Sequence, residues 1–444
     1  LSIMMEREFR RLSADGEARR LCRRTPLQRM ALIGSIVGNL SLLVFFKYSH
    51  FLVDNVNQLA RILGLSPCAV NFTVQFALPL GISFYTFQSL SYSIDVYRGV
   101  TPATRKLADY FCFVTLFPQL IAGPIVRYTD VAQALASRIL SREAFASGVR
   151  LFIIGLGKKV LIANTLAEPV DRIFAIPAAQ LPTPVAWVGA VFFSFQLLFD
   201  FGGYSDMAVG MGRMLGFQFP GNFNYPFISR TVAEFWQRWH ITLSSWLRDY
   251  LFAPLGGYRV GRWRAYVNVL FVFLICGLWH GASWNFVLFG AIPGVMIVFE
   301  RMVHSNRRAF FTGWTGCVFY ILPIILCCMV IFRSDTLGDA GAHLKAMLGL
   351  QGDPGPAYNL GLFINGEVLV MLAAALLGSA PFAPWLIARC GLPNDGRAAV
   401  PAPVLTGRTV VAEVVRIVFL AAVLLLCAMK LAAGTYNPFI YFRF

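Results

Sequence analysis

From Tyr266 to Glu300 the chain reads YVNVLFVFLICGLWHGASWNFVLFGAIPGVMIVFE, with no Asp, Glu, Lys or Arg between its ends and one histidine, His280. A membrane crossing takes about 20 apolar residues, so this run is too long for one ordinary span. Arg259, Arg262 and Arg264 precede it, and Arg301, Arg307 and Arg308 follow it. Basic residues collect on the cytoplasmic side, and finding them at both ends calls for an even number of crossings. The break falls at Trp279-His280-Gly281-Ala282-Ser283. Each leg then has about 14 residues, about 21 Å of helix against about 30 Å of hydrocarbon. The spacing predicts a turn halted inside the membrane with His280 on it. The alternative is one long tilted helix, which also keeps His280 at depth.

The rest of the 444-residue chain reads the same way. It is 57% hydrophobic, 14% aromatic and 14% charged, with a mean hydropathy of +0.64. Soluble domains run at roughly 45–50% apolar and about 25% charged. That excludes an ordinary soluble, disordered or disulfide-stapled protein. The net charge of +16 would suggest nucleic acid in a soluble protein. Here basic loops beside membrane segments account for it, and no nucleic-acid partner is expected. Most cysteines lie in apolar runs (Cys112, Cys276, Cys317, Cys327, Cys328, Cys427), and none forms a C-x-x-C pair. They read as small core residues.

Residues 1–29 carry eight arginines against four acids and precede the apolar run Met30–Phe46. This predicts a cytoplasmic basic segment followed by a span. The chain starts at Leu1 with no signal peptide in view, which suggests that the true N-terminus is missing. Further apolar segments lie near 72–92, 111–126, 149–167, 185–199, 316–332, 361–379 and 410–431. Pro79 and Gly81 interrupt the first of these, and Pro118, Gly123 and Pro124 the second. Broken backbone at membrane depth is tolerated only against protein or beside a wet cavity. Residues 30–444 therefore read as one all-α polytopic membrane domain with re-entrant or broken helices and no linker.

Before the long run, Thr231 and Glu234 fit a capping box that opens an interfacial helix. At 100° per residue Val232, Phe235, Trp236, Trp239, Leu243, Trp246 and Leu247 share a stripe. Glu234, Gln237, Arg238, Ser245 and Arg248 fall opposite, with Glu234 and Arg238 spaced for an ion pair. Three tryptophans beside arginines suit a headgroup-level helix, with His240 at the edge of its apolar stripe.

His280 is the histidine inside a long apolar run. An ionisable group there is costly unless it lines a cavity or has partners. A neutral imidazole accepts a proton from a hydroxyl near pH 7; the bland alternative is a histidine hydrogen-bonding between helices. Gly277 and Gly281 remove bulk on either side of it, so that a substrate or neighbouring backbone can approach. No G-x-S-x-G elbow is present, so direct transfer between a bound acyl donor and a bound hydroxyl is the simplest chemistry, with Asn285 or Ser283 as oxyanion donor. The His280–Asn285 spacing matches an H-x4-D box with Asn for Asp, which reads as chance, because Asn cannot hold an imidazolium as a carboxylate does. Asp200 and Asp206 end an apolar segment, where they would bind a cation, relay protons or cap a helix. Gly212 and Gly216 are spaced for close helix packing rather than for a nucleotide. His304 and His343 read as solvated and His50 as an interface residue. No histidine pair has metal-ligand spacing, and no metal is expected.

Six blocks, in order, resemble the membrane-bound O-acyltransferase superfamily, and most closely its alginate O-acetyltransferase branch. They are Pro79–Asp95 (PLGISFYTFQSLSYSID), Phe117–Arg127 (FPQLIAGPIVR), Phe201–Met207 (FGGYSDM, with Ser205 and Asp206), Phe235–Tyr250 (FWQRWHITLSSWLRDY), Leu278–Asn285 (LWHGASWN) and Asn437–Phe444 (NPFIYFRF). The resemblance implies a multi-helix ring around a funnel. It implies that His280 is catalytic and that His240 is the second signature histidine. Asp200, Ser205 and Asp206 would support the donor channel or the helices around it. It further implies acetyl-CoA as the cytoplasmic donor, with no bound cofactor. The acetyl group would cross the bacterial inner membrane toward an exported polysaccharide, with an extracytoplasmic, hydrolase-like acetyltransferase partner. Related proteins serve peptidoglycan or cellulose, or D-alanylate teichoic acid. Relatives begin with additional hydrophobic segments before the basic stretch seen here at 1–29. A transporter, or an anchor that only recruits a periplasmic enzyme, would also use broken helices and buried charge.

Overall fold

The computed structural model describes residues 25–66, 79–304, 314–352, 355, 357–389, 407–434 and 436–438. Most of the basic segment 1–29, the start of the 72–92 segment, Arg307, Arg308, the side chain of His304 and the last residues of the Asn437–Phe444 block lie outside them. Among the described residues every regular element is helical.

Helix α1, Pro26–Leu43, starts where sequence chemistry asks for it: Thr25 caps the backbone of Gln28, Gln28 returns the bond, and Pro26 occupies the first turn. A π-helical turn, Val44–Tyr48, leads into α2, Ser49–Ile62. After Gly81, in the left-handed region, α3 (Ile82–Arg98) runs inside the protein, and Ser93 meets Ser35 of α1 at 2.8 Å. The proline-broken segment holds only a short α4, Leu107–Val114, followed by irregular chain in which Gln119, Ala122 and Val126 are fully buried. This is the packed, non-helical backbone expected from Pro118, Gly123 and Pro124. Helix α5 is Tyr128–Ala136.

Helix α6, Arg142–Gly157, passes through a π turn at Lys158–Ala163 into α7, Asn164–Phe174. Helix α8, Thr183–Met214, is the central element: 83% of its apolar window is buried, against 11% for the spans at 26–62 and 410–432. Lipid is as apolar as leucine, so helices in it associate by close packing. Here α6 and α8 meet backbone to backbone, Gly148 on Gly210 and Gly155 on Gly203, and a methyl group at any of these would strike the facing carbonyl. The packing glycines are thus not the expected pair. Gly212 faces the Phe219 ring, and Gly216, at φ +80°, ends the helix.

The expected interfacial helix is two helices, α9 (Val232–Arg238) and α10 (Ile241–Leu247), followed by a π turn at Arg248–Phe252. Trp239 is extended and His240 left-handed, so the chain turns between them. The seven stripe residues are nonetheless all buried. The tryptophans therefore fill the protein core rather than mark its headgroup-level surface. Thr231 caps α9 as expected, whereas Glu234 bonds the Arg230 backbone and pairs with Arg238. Glu300 supplies two further caps, to the Val232 and Ala233 N–H groups.

The long run is a hairpin of α11, Arg262–His280, and α12, Trp284–His304. Its legs of 19 and 21 residues exceed the expected length, because helix continues into the polar ends. A π turn at Cys317–Ile321 leads into α13, Leu322–Arg333, and α14 is Leu337–Met347. Helices α15 (Gly366–Gly378) and α16 (Phe382–Arg389) are bent by 67°, and α17 is Gly407–Ala432. Among the described residues, five helices are long and apolar enough to cross a membrane, or six if the bent pair is one span.

Candidate active site

His280 is the last residue of α11, and Gly281 turns the chain toward α12. The hairpin closes because α11 and α12 carry glycine where they touch: Gly277 faces the Phe286 carbonyl and Gly290, and Gly281 faces the Phe286 ring. Of the two expectations for these glycines, backbone approach is realised at Gly277, while Gly281 makes room for a side chain.

A helix ends with unpaired carbonyls, and at His280 they are taken by the π turn after α1. Lys47 Nζ donates to the carbonyls of Trp279 (2.6 Å) and His280 (3.3 Å) and to Ser83 Oγ (3.3 Å). Tyr48 OH donates to the Leu278 carbonyl at 2.7 Å. A cation at the C-terminus of a helix also complements its dipole. Lys47 was not singled out from sequence. The available signal was an ionisable residue closing the apolar run Met30–Phe46.

The imidazole of His280 packs edge-on against Trp279, Phe289 and Phe332, with centroids 5.0–5.5 Å away. Its Nε2 is buried and has no hydrogen-bond partner among the described residues. His240 approaches from the α9–α10 turn. It is fully buried, not at the rim of a wet face, and packs against Phe201 at 4.7 Å and Trp279 at 5.8 Å. Trp279 thus touches both imidazoles. It also stacks on Phe87, which stacks on Trp246, so α3, α10 and α11 share one aromatic column. His240 Nε2 likewise lacks a hydrogen-bond partner, while its Nδ1 lies 3.1 Å from Asn222 Oδ1. Burial first, and the neighbouring His280 second, push the His240 pKa well below the ordinary histidine value.

Asn222 is a hub that the sequence did not announce, since its partners lie in other segments of the chain. Its Oδ1 also accepts from the Thr242 backbone N–H (3.3 Å) and hydroxyl (2.9 Å), and its Nδ2 donates to Ser205 Oγ at 3.1 Å. Ser205 is thereby linked to His240 through one residue.

The remaining expected residues serve different contacts. Asp200 and Asp206 each have a lysine from the π turn: Lys159 lies 2.7 Å from Asp200, and Lys158 lies 2.6 Å from Asp206. Lys159 also donates to the Pro438 carbonyl. The two carboxylates therefore tie α8 to the chain between α6 and α7. Asn285 is buried and its Nδ2 donates to the Ser334 carbonyl at 2.6 Å, joining α12 to the end of α13. One N–H of the amide expected to serve an oxyanion is engaged there. Ser283 is half-buried in the hairpin turn. His343, expected in solvent, is buried: it stacks on Phe174 at 4.4 Å and donates Nε2–H to the Ala186 carbonyl at 3.1 Å. Helix α14 packs on α8, which the polar look of its sequence concealed. Among the described residues, no three His, Cys, Asp or Glu side chains gather as a metal-binding set.

The arrangement offers two imidazoles around one indole, each with a buried Nε2 that pairs with none of the described residues. That is a pair of proton acceptors, suited to taking a hydrogen from a hydroxyl.

The model of the membrane-bound O-acyltransferase family matches residues 100–337. The probable alginate O-acetylase of Pseudomonas putida is 40% identical over 430 residues, covering 95% of this chain and 86% of that protein. That of Pseudomonas aeruginosa is 38% identical over 453 residues, 94% of this chain and 86% of its own length. The peptidoglycan O-acetyltransferase of Helicobacter pylori is 37% identical over 73% of this chain and 66% of its own length. The chain belongs to the membrane-bound O-acyltransferase family, and it is a multi-pass membrane enzyme that transfers acyl groups to oxygen.

Proposed function

We propose that the protein moves acetyl groups from cytoplasmic acetyl-CoA across the bacterial inner membrane for O-acetylation of an exported polysaccharide such as alginate. His280 is the general base. The observation that carries this reading is the bare Nε2 of His280, buried at the end of a helix whose last carbonyls are fixed by Lys47 and Tyr48. The polymer follows the names of the alginate O-acetylases, which resemble the chain over nearly its whole length.

In the transfer, His280 Nε2 takes the proton of the acceptor hydroxyl as its oxygen bonds to the thioester carbonyl carbon. The carbon–sulfur bond then breaks, and the imidazolium returns the proton to the departing thiolate. The ester and a free thiol are the products. His240 and the ion-paired Asp200–Asp206 segment orient the donor and the helices around it, with Ser205 joined to His240 through Asn222. An extracytoplasmic acetyltransferase partner carries the group onward to the polymer, and no metal takes part.

The test is reconstitution. Purified protein in liposomes, given acetyl-labelled CoA on the cytoplasmic face, is expected to release free thiol and label a hydroxyl acceptor on the other face. His280→Ala is expected to lower the rate at least a hundredfold. Equal transfer by wild type and variant would overturn His280 as base. Label reaching peptidoglycan fragments but not alginate would overturn the polymer assignment.

A further inference from the structure

We propose that Asn222 is a positioning residue for acyl transfer: it locks His240 in the tautomer with hydrogen on Nδ1, so that the Nε2 lone pair faces the reacting groups. The proposal rests on the reading of the two-histidine site as the place of transfer.

One atom beside this amide can only donate. The Thr242 backbone N–H lies 3.3 Å from one end of the Asn222 amide, so that end is the oxygen. The other end, the NH2 group, is used by Ser205 Oγ at 3.1 Å. An amide oxygen accepts and cannot donate, so His240 Nδ1, 3.1 Å away, carries the hydrogen. A neutral imidazole has one N–H, which leaves Nε2 with its lone pair exposed. That nitrogen is buried and has no partner among the described residues, a costly arrangement unless something visiting the site donates to it. An incoming hydroxyl is such a donor.

The backbone is built around the same contact. His240 is left-handed at φ 41°, an uncommon conformation for a residue other than glycine. The Asn222 carbonyl accepts from the next backbone N–H, that of Ile241, at 2.9 Å, so Asn222 grips both the turn and the ring it presents. Among the described residues, His280 is the titratable group that acts on this ring. Helix α8 carries Asp200 with its Lys159 and Asp206 with its Lys158, and α11 carries His280 with Lys47 on its carbonyls.

Three variants test the lock. Asn222→Ala removes the acceptor. Asn222→Asp keeps an acceptor but adds a charge that favours imidazolium. Thr242→Val removes the hydroxyl from the same hub and leaves the His240 bond alone. Nitrogen-15 NMR of histidine-labelled protein in lipid nanodiscs, assigned with His240→Gln, reads the tautomer directly. Wild type is expected to show a protonated Nδ1 and an unprotonated Nε2, and Asn222→Ala a mixture. In transfer assays Asn222→Ala is expected to lose at least tenfold in kcat with KM within about twofold, since a wrong tautomer costs rate rather than binding. Asn222→Asp is expected to recover rate at alkaline pH and to lose it on acidification, at a higher pH than wild type does. Thr242→Val, which also takes the acceptor from the Ile125 N–H, is expected to melt earlier and to keep the wild-type tautomer. A wild-type spectrum with hydrogen on Nε2, or Asn222→Ala with a normal kcat and only a lower melting temperature, would overturn the proposal. The spectrum needs no acyl donor. An inactive preparation with the expected tautomer therefore supports the lock and counts against the proposed chemistry instead.

Discussion

Lys47 shows what a single side chain does for this site. Its ammonium spans from the π turn after α1 to the last two carbonyls of α11, so it fixes where His280 stands without touching the imidazole. Lys47→Met keeps the stem and removes the donor, leaving buried carbonyls unpaired at about 1–3 kcal/mol. We expect lower thermal stability in detergent together with a fall in transfer rate at saturating substrate; unchanged values of both would assign the cap no role. His280 and His240 were legible because a histidine in an apolar run, or on an aromatic stripe, is conspicuous. Lys47 and Asn222 were not, because their partners lie elsewhere in the chain and neither pattern nor spacing encodes which carbonyl or ring they meet. Asn285 lies close to His280 in sequence, and one N–H of its amide goes to the Ser334 carbonyl, a partner that spacing does not encode.

Among the elements, the α11–α12 hairpin depends on glycine at its contacts. Gly277→Ala and Gly290→Ala each force a methyl into the facing helix backbone. Overpacking of this kind costs about 1–3 kcal/mol, so both variants are expected to melt earlier and to transfer more slowly. Gly38→Ala, which meets nothing within 4 Å, is expected to behave as wild type in the same melts. A second element-level device is the Arg127–Asp249 ion pair of 2.7 Å, which joins the irregular 115–127 chain to the π turn after α10. Burial raises the Asp249 pKa, but hydrogen bonds from Arg248 and Arg127 outweigh it and hold the carboxyl below its ordinary value. A depressed carboxyl contributes stability above the unfolded-state pKa of about 4 and loses it as pH falls further. Melting temperature measured from pH 7 down to pH 3 is therefore expected to drop at the acid end, and Asp249→Asn to flatten part of that drop. The break at His240 was invisible at this scale, because α9 and α10 bury the same stripe that one continuous helix would.

Across the whole molecule, the apolar runs were enough to read an all-helical membrane domain, and the prolines were enough to find its broken segment. They did not tell inside from outside. The span at 183–214 has mean hydropathy 1.6 and is mostly buried, while the span at 410–432 has 2.6 and is mostly exposed. Lipid-facing helices need apolar surface all round, whereas a helix wrapped in protein can carry Asp200, Ser205 and Asp206. High hydropathy therefore marks the rim and moderate hydropathy the centre, the reverse of the rule for a soluble core. That central helix, the hairpin and the α9–α10 turn converge on two imidazoles, and the central claim is that one of them performs the transfer. The most direct measurement is the acetyl-ester content of exported polymer in cells lacking their own enzyme and complemented with wild type or His280→Ala at equal membrane abundance. The account predicts esters restored by wild type and at background with His280→Ala. Full acetylation by the variant would contradict it.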